Sequence, residues 1–241
     1  MKTVERWFSE RVHLDMTLVR WGHWGRPVLV LPSAGGDAEE IERNGLIDAC
    51  GGLLTEGRVK IYSVDSVAGQ AMMQKLGTPQ YRRWLLNAFH GYVRQEVVPA
   101  IHADLSDPSA QVITAGASIG AFNAVALLCR YPDAFSTAVG MSGSYRVERF
   151  YEPPWSEDSY FASPVEFLPN LEGEQLQHLR QRFVILASGE GAWENIGESW
   201  HMADVLGAKG IPNRVDNWGA QYDHDWGTWH RMLPHYLHQL T

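Results

Sequence analysis

QVITAGASIGAFNAVALL, residues Gln111 to Leu128, joins three pieces: a short apolar run (Val112 to Ala115), a turn (Gly116-Ala117-Ser118-Ile119-Gly120), and a small-residue helical pattern through Ala121, Ala124, Val125 and Leu128. It reads as a strand, a tight turn and a helix with a serine at the apex. A serine forced into a strained strand-to-helix turn needs neighbours two residues away on each side that carry no side chain. Gly116 and Gly120 meet that need. The hydroxyl of Ser118 then stands above the sheet, beside helix N–H groups that have no partner of their own and favour negative charge. Ser118 is the candidate nucleophile.

Upstream, Pro27 to Leu31 is a continuous apolar run suited to a strand covered on both faces, followed by Pro32-Ser33-Ala34-Gly35-Gly36-Asp37. Asp37 and Glu40 form a capping-box variant, which predicts a helix from Asp37 and leaves the loop backbone before it free to face Ser118. The candidate oxyanion donors are the Ala34 N–H and the Ile119 N–H directly after the nucleophile. Two alternating segments, Arg6 to Arg11 and His13 to Trp21, read as an opening meander, and Val59 to Val64 as another strand. Residues 78 to 104 carry a helical stripe (Tyr81, Trp84, Leu85, Ala88, Tyr92) that belongs to the core, with His90 expected on the polar face.

Downstream, Phe135 to Met141, Arg182 to Ala187 and Asn213 to Trp218 are strand-like, which brings the total to about eight. The stretch 145–176 has no period and is rich in aromatic residues and proline. It is expected to form a short lid-like insertion over the strand ends, with Tyr145 and Trp155 lining an acyl pocket. A helix with Trp200, Ala203, Val205 and Leu206 as its apolar members follows and stops at Gly210. The chain ends with Asp223-His224-Asp225-Trp226 and a helix striped by Trp229, Leu233, Tyr236, Leu237 and Leu240.

Strands alternating with helices predict a mostly parallel sheet flanked by helices, with ligands outside the carboxyl ends of the strands. Three such ends carry matched chemistry: Ser118, an acid at Glu190 or Glu194, and His224. Serine is a poor nucleophile until an imidazole takes its proton, and the imidazole needs a carboxylate to fix its tautomer. The order serine, acid, histidine is that of an α/β-hydrolase. Trp193 and Trp226 neighbour the two loops and join Tyr145 and Trp155 as candidate substrate-binding residues. No H-E-x-x-H occurs and no metal site is expected.

At 241 residues, 45% hydrophobic and 20% charged, the chain reads as one domain, 1–241, with a sizeable core. A net charge of −8 disfavours a nucleic-acid surface or a polybasic membrane patch. The start has no apolar signal region and no run of 18 apolar residues occurs, so a soluble cytoplasmic protein is expected. Cys50 and Cys129 lack metal or redox spacing and read as buried thiols.

GASIG, LPSAGG, SGEGAWE, KGIPNRVDNWG and especially YDHDWGTWHRMLPHYL together resemble the esterase-D-like family of α/β-hydrolases. That family includes S-formylglutathione hydrolases, feruloyl esterases, enterochelin-type esterases and mycolyltransferases. The resemblance implies Ser118 as nucleophile, His224 as base and no cofactor. It favours Glu194 over Glu190, because relatives carry the acid several residues past the glycine that ends the strand. Where the family has His-Gly before the oxyanion residue, this chain has Pro32-Ser33. The expected activity is hydrolysis of small or aromatic acyl esters through an acyl-enzyme. Its alternatives are acyl transfer to an acceptor other than water and a hydrolase-like binding protein without activity. Oligomeric state is not readable.

Overall fold

A computed structural model describes residues 1–146, 148 and 156–241. The opening meander is a hairpin of β1 (Lys2–Ser9) and β2 (Leu14–Trp21). The remaining strands are β3 (Arg26–Leu31), β4 (Val59–Val64), β5 (Val112–Ala117), β6 (Phe135–Met141), β7 (Phe183–Gly189) and β8 (Asn213–Gly219). Among the described residues they form one eight-stranded sheet in the order β1-β2-β4-β3-β5-β6-β7-β8. β2 runs antiparallel to β1 and β4; every pair from β4 to β8 is parallel. The carboxyl ends of β3, β5, β6, β7 and β8 therefore share one edge.

The inner strands are apolar without alternation because both faces are covered. In β3, Val28 and Val30 enter the core beneath three short helices, α1 (Glu40–Arg43), α2 (Leu46–Ala49) and α3 (Gly51–Thr55), while Leu29 and Leu31 enter the opposite core. That opposite core is covered by α4 (Val67–Met73), α5 (Pro79–Tyr92), α6 (Val98–Leu105) and α7 (Ile119–Arg130). A π turn, Val93–Val97, carries α5 into α6 without a break and stands directly before Pro99, where the helix has to do without one backbone N–H. Short helices α8 (Glu157–Ala162), α9 (Pro164–Phe167) and α10 (Gly173–Leu179) precede β7, and α11 (Ile196–Ala208) precedes β8. α12 (Trp226–Leu240) closes the chain, buries Trp229, Met232, Leu233, Tyr236 and Leu237 beside α1–α3, and keeps Pro234 inside its span. Full burial of such side chains contributes about 1.5–3 kcal/mol each.

Five expectations need correction. The helix predicted from Asp37 starts at Glu40, because the Glu40 carboxylate turns back to accept from Ser33 N (2.7 Å) and Ser33 Oγ (2.9 Å) instead of capping. His90 is fully buried: α7 covers that face of α5, and His90 Nε2 meets Asn123 Oδ1 at 3.0 Å. Burial and the nearby Arg130 charge push this imidazole down to about 3 despite the Asn123 bond, so it is neutral at ordinary pH. Trp200 is 52% exposed and leaves the expected stripe; Leu206 is buried and Ala203 and Val205 pack against the core as expected, while Glu198, Ser199 and Met202 complete the buried face of α11. The stretch 145–176 is largely helical from residue 157. There it packs on α5 and α7, with Tyr160 and Phe161 lining a cavity of about 200 Å³ with Arg130, at the end of α7 remote from Ser118. The fifth correction, Tyr145, concerns the site itself.

Candidate active site

Ser118 caps the amino end of α7 with φ 58° and ψ −120°, a strained backbone for a residue with a side chain. The turn is enforced by close approach. A Cβ on Gly116 would lie 2.4 Å from the Gly120 backbone, and one on Gly120 would lie 2.4 Å from Leu31 O and 2.7 Å from Pro32 O. No side chain fits at either position, so the elbow is drawn tight against the end of β3. Ser118 is partly exposed, and its hydroxyl has no hydrogen-bond partner among the described residues.

The loop after β3 is fixed from three sides. Glu40 binds Ser33, Ser66 N donates to Gly36 O (3.0 Å), and Gly36 N donates to Ser33 O (2.9 Å). Ala34 is left in a positive-φ conformation (28°), and neither its N–H nor that of Ile119 has an acceptor among the described residues. The Ile119 N–H directly follows the strained serine, and Ala34 lies two residues after Pro32, whose carbonyl the elbow meets; free donors in these two segments suit a developing oxyanion. The Ala34 carbonyl rests on α4, where a Cβ on Gly69 would stand 1.9 Å from Ala34 O. Gly69→Ala must therefore displace the Ala34 peptide. With Ala34 N–H read as a candidate oxyanion donor, we expect kcat to fall on the order of 10²-fold, the size of losing one such donor, with soluble folded protein retained, as steady-state kinetics and thermal melts would record.

Glu194 and His224 meet at the ends of β7 and β8. The Glu194 side chain is 1% exposed, and its Oε2 lies 3.7 Å from His224 Nδ1, an ion-pair separation longer than a hydrogen bond. The two loops are stapled by backbone: His224 N donates to Ala192 O (2.9 Å) and Gly191 N to Tyr222 O (3.0 Å), while Asp223 Oδ1 accepts from Ala192 N (2.6 Å). The tight turn turns Glu194 inward and leaves Trp193 at φ 66° and 91% exposed. Burial alone would raise the Glu194 carboxyl, but His224, Ser142 and Ser188 together hold it below the ordinary glutamate value. Glu190, by contrast, is exposed, and its carboxylate makes no contact with His224 among the described residues.

The end of β6 joins these parts. Ser118 N donates to Met141 O (3.0 Å), and the next residue, Ser142, donates its hydroxyl to Glu194 Oε1. Ser188 Oγ reaches Glu194 Oε2 at 3.1 Å, and Trp229 Nε1 donates to Ser142 Oγ at 3.0 Å. Ser142, Ser188 and Trp229 were not singled out from sequence as site residues. The two serines stand at strand ends beside Met141 and Ala187, which was the one signal available.

Of the aromatic candidates, Trp226, two residues after His224, is half-buried against Trp229 (5.0 Å between centroids) and His230. Trp193 is at the surface. Tyr145 is 0% exposed and cannot line an open pocket: its phenol fills the space over Gly140 and Gly143, and its N–H donates to Glu198. Trp155 lies outside the described residues. No three of His, Cys, Asp or Glu cluster to hold a metal ion among the described residues, and none of their helices is long and apolar enough to cross a membrane.

With this geometry in place, comparison with known proteins is direct. The family model described as Putative esterase matches residues 71–240, most of the chain. The chain belongs to the esterase family. By that family it is a carboxylic-ester hydrolase. The esterase is similar in fold to a ferulic acid esterase (TM-score 0.76, 17% identity, 100% of this chain and 97% of that one). It also resembles an S-formylglutathione hydrolase from Staphylococcus aureus (TM-score 0.68, 15% identity, 100% and 96%). A fluorophosphonate-binding serine hydrolase from the same organism aligns at TM-score 0.70 and 13% identity over 100% and 98% of the chains. Comparison with the curated proteins finds no match.

Proposed function

We propose that this esterase hydrolyses small or aromatic acyl esters through an acyl-enzyme on Ser118, with His224 as base, Glu194 as acid, and the Ala34 and Ile119 N–H groups as oxyanion donors. The observation that carries the reading is the buried Glu194 carboxylate, facing His224 Nδ1 across the strand end next to the strained Ser118. Glu194 holds Nδ1 in its protonated form, which leaves Nε2 basic. Ser118 Oγ attacks the ester carbonyl carbon as its proton passes to Nε2, and the carbonyl oxygen, now an alkoxide, is held by the two N–H groups. Collapse breaks the bond to the leaving alcohol, which takes the proton from Nε2. Water then enters by the same steps and releases the acid, with Ser118 reprotonated.

The lid reading that favoured acyl transfer has lost its support from residue 157 onward, since those helices pack on α5 and α7 away from the strand ends. Hydrolysis is therefore the preferred outcome. The test is a series of p-nitrophenyl esters from acetate to long chains, with a feruloyl ester and S-formylglutathione, run with and without added alcohols or thiols. Free acid as the main product supports the proposal. Ester or thioester products of the added acceptor would establish transfer, and no turnover of any substrate, with no fluorophosphonate labelling, would leave a binding protein.

A further inference from the structure

Ser142, the first residue after β6, is 3% exposed and has φ 50°, a conformation unfavourable for a residue with a side chain. Its N–H donates to Ala187 O at 2.7 Å, which ties the ends of β6 and β7 together and fixes where its hydroxyl can point. Two groups meet that hydroxyl. Trp229, 4% exposed, presents an indole N–H at 3.0 Å, and Glu194 presents Oε1.

An indole N–H only donates and a carboxylate only accepts. With Trp229 occupying a lone pair of Oγ, the single hydroxyl proton of Ser142 is directed to Glu194 Oε1. The other carboxylate oxygen, Oε2, is then the one facing His224 Nδ1 at 3.7 Å. Ser188 cannot substitute, because its one proton is shared between Gly189 O (3.0 Å) and Glu194 Oε2 (3.1 Å). Trp229 also stands edge-on to the His224 ring, with centroids 5.3 Å apart, so one residue of α12 touches both the base and the group that orients the acid.

The geometry points to Ser142 as a positioning residue of the ester-hydrolysis reaction, itself oriented by Trp229, that holds the Glu194 carboxylate with Oε2 turned toward His224. This inference rests on the assignment of Glu194 and His224 made above. It predicts that removing the Ser142 hydroxyl slows the chemical step while substrate binding is kept, and that Trp229 acts on the acid through Ser142 alone.

The experiment measures kcat and KM on p-nitrophenyl acetate for wild type, Ser142→Ala, Ser142→Gly, Trp229→Phe and the Ser142→Ala/Trp229→Phe double variant. Rates are normalised to the fraction of protein that a fluorophosphonate labels. Ser142→Gly guards against misfolding, since glycine adopts positive φ without strain. We expect about a 10-fold lower kcat for both Ser142 variants, the loss expected for one hydrogen bond to a charged group, with KM changed less than about 2-fold. Trp229→Phe, chosen because it removes the indole N–H yet keeps a ring facing His224, should lose less, about 3-fold, and should add nothing further in the Ser142→Ala background. Wild-type kcat in Ser142→Gly, or losses that multiply in the double variant, would overturn the inference. Glu194→Gln run in parallel separates the two levels. If it is severely impaired while Ser142→Gly is normal, the positioning role alone fails. Wild-type activity in Glu194→Gln would remove the acid assignment, and the positioning role with it.

Discussion

Replacing Ser118 with alanine is expected to abolish ester hydrolysis, with kcat falling on the order of 10⁶-fold as for removal of the nucleophile in serine hydrolases, while the thermal melting point stays close to wild type. Ser118→Gly should be equally inactive yet more stable. Ser118 sits at φ 58° and ψ −120°, and backbone strain of this kind costs about 1–3 kcal/mol in a residue with a Cβ. Alanine keeps the Cβ and the strain; glycine removes both. The paired variants thus separate chemistry from conformation: equal loss of activity, with a higher melting point only for glycine. A melting point lowered by the glycine substitution would show that the elbow is not strained. Activity retained in the alanine variant would remove Ser118 from the mechanism.

Glu194→Gln carries the second large expected effect. The Glu194 side chain is almost wholly buried, and its carboxylate is what His224 Nδ1 faces. A glutamine there can turn its amide N–H toward Nδ1, which favours the tautomer protonated on Nε2 and blocks that nitrogen from taking the serine proton. Acid-to-amide changes of this type lower kcat about 10⁴-fold with the geometry preserved. The same substitution has a pH signature in stability. Because Glu194 is held below its ordinary value of 4.5, its ionised contacts contribute stability that is fully present above 4.5 and is lost as pH falls through the lowered folded-state value. The melting-point difference between wild type and Glu194→Gln should accordingly shrink as the pH is taken below 4.5. A difference that stays constant down to strongly acid pH would mean that the carboxylate gains nothing from His224, Ser142 and Ser188.

The parts of this molecule that were legible in sequence are those whose cause is local. The elbow could be read because its steric demand falls on two fixed positions, and a Cβ at Gly116 or Gly120 would indeed meet backbone at 2.4 Å. The inner strands were legible as unbroken apolar runs, because a strand covered on both faces has no polar side to alternate with. His224 was reached through its place between the last strand and the last helix.

What was misread depends on which surfaces meet. His90 looks like a polar-face residue on a striped helix, and only the packing of α7, with Asn123 opposite, makes it a core residue. Glu40 stands at capping-box spacing, but the competing contact with Ser33 wins because it satisfies the loop's own N–H and hydroxyl. Tyr145 was assigned to a pocket wall as one aromatic in an irregular segment. The absence of side chains at Gly140 and Gly143 opens the interior slot it fills, and that match is visible only once the chain end of β6 is folded back. Ser142, Ser188 and Trp229 converge on Glu194 because β6 lies next to β7 in the sheet and α12 packs on β6, an adjacency that no spacing along the chain encodes.

The central claim is that Ser118 forms the covalent intermediate. Its most direct test is peptide mapping by mass spectrometry of the folded protein after reaction with a fluorophosphonate, alongside the Ser118→Ala variant. The account predicts one phosphonyl adduct per chain, located on the peptide containing Gly116-Ala117-Ser118-Ile119-Gly120 and absent from the variant. An adduct on a different residue, or labelling that persists in Ser118→Ala, would contradict it.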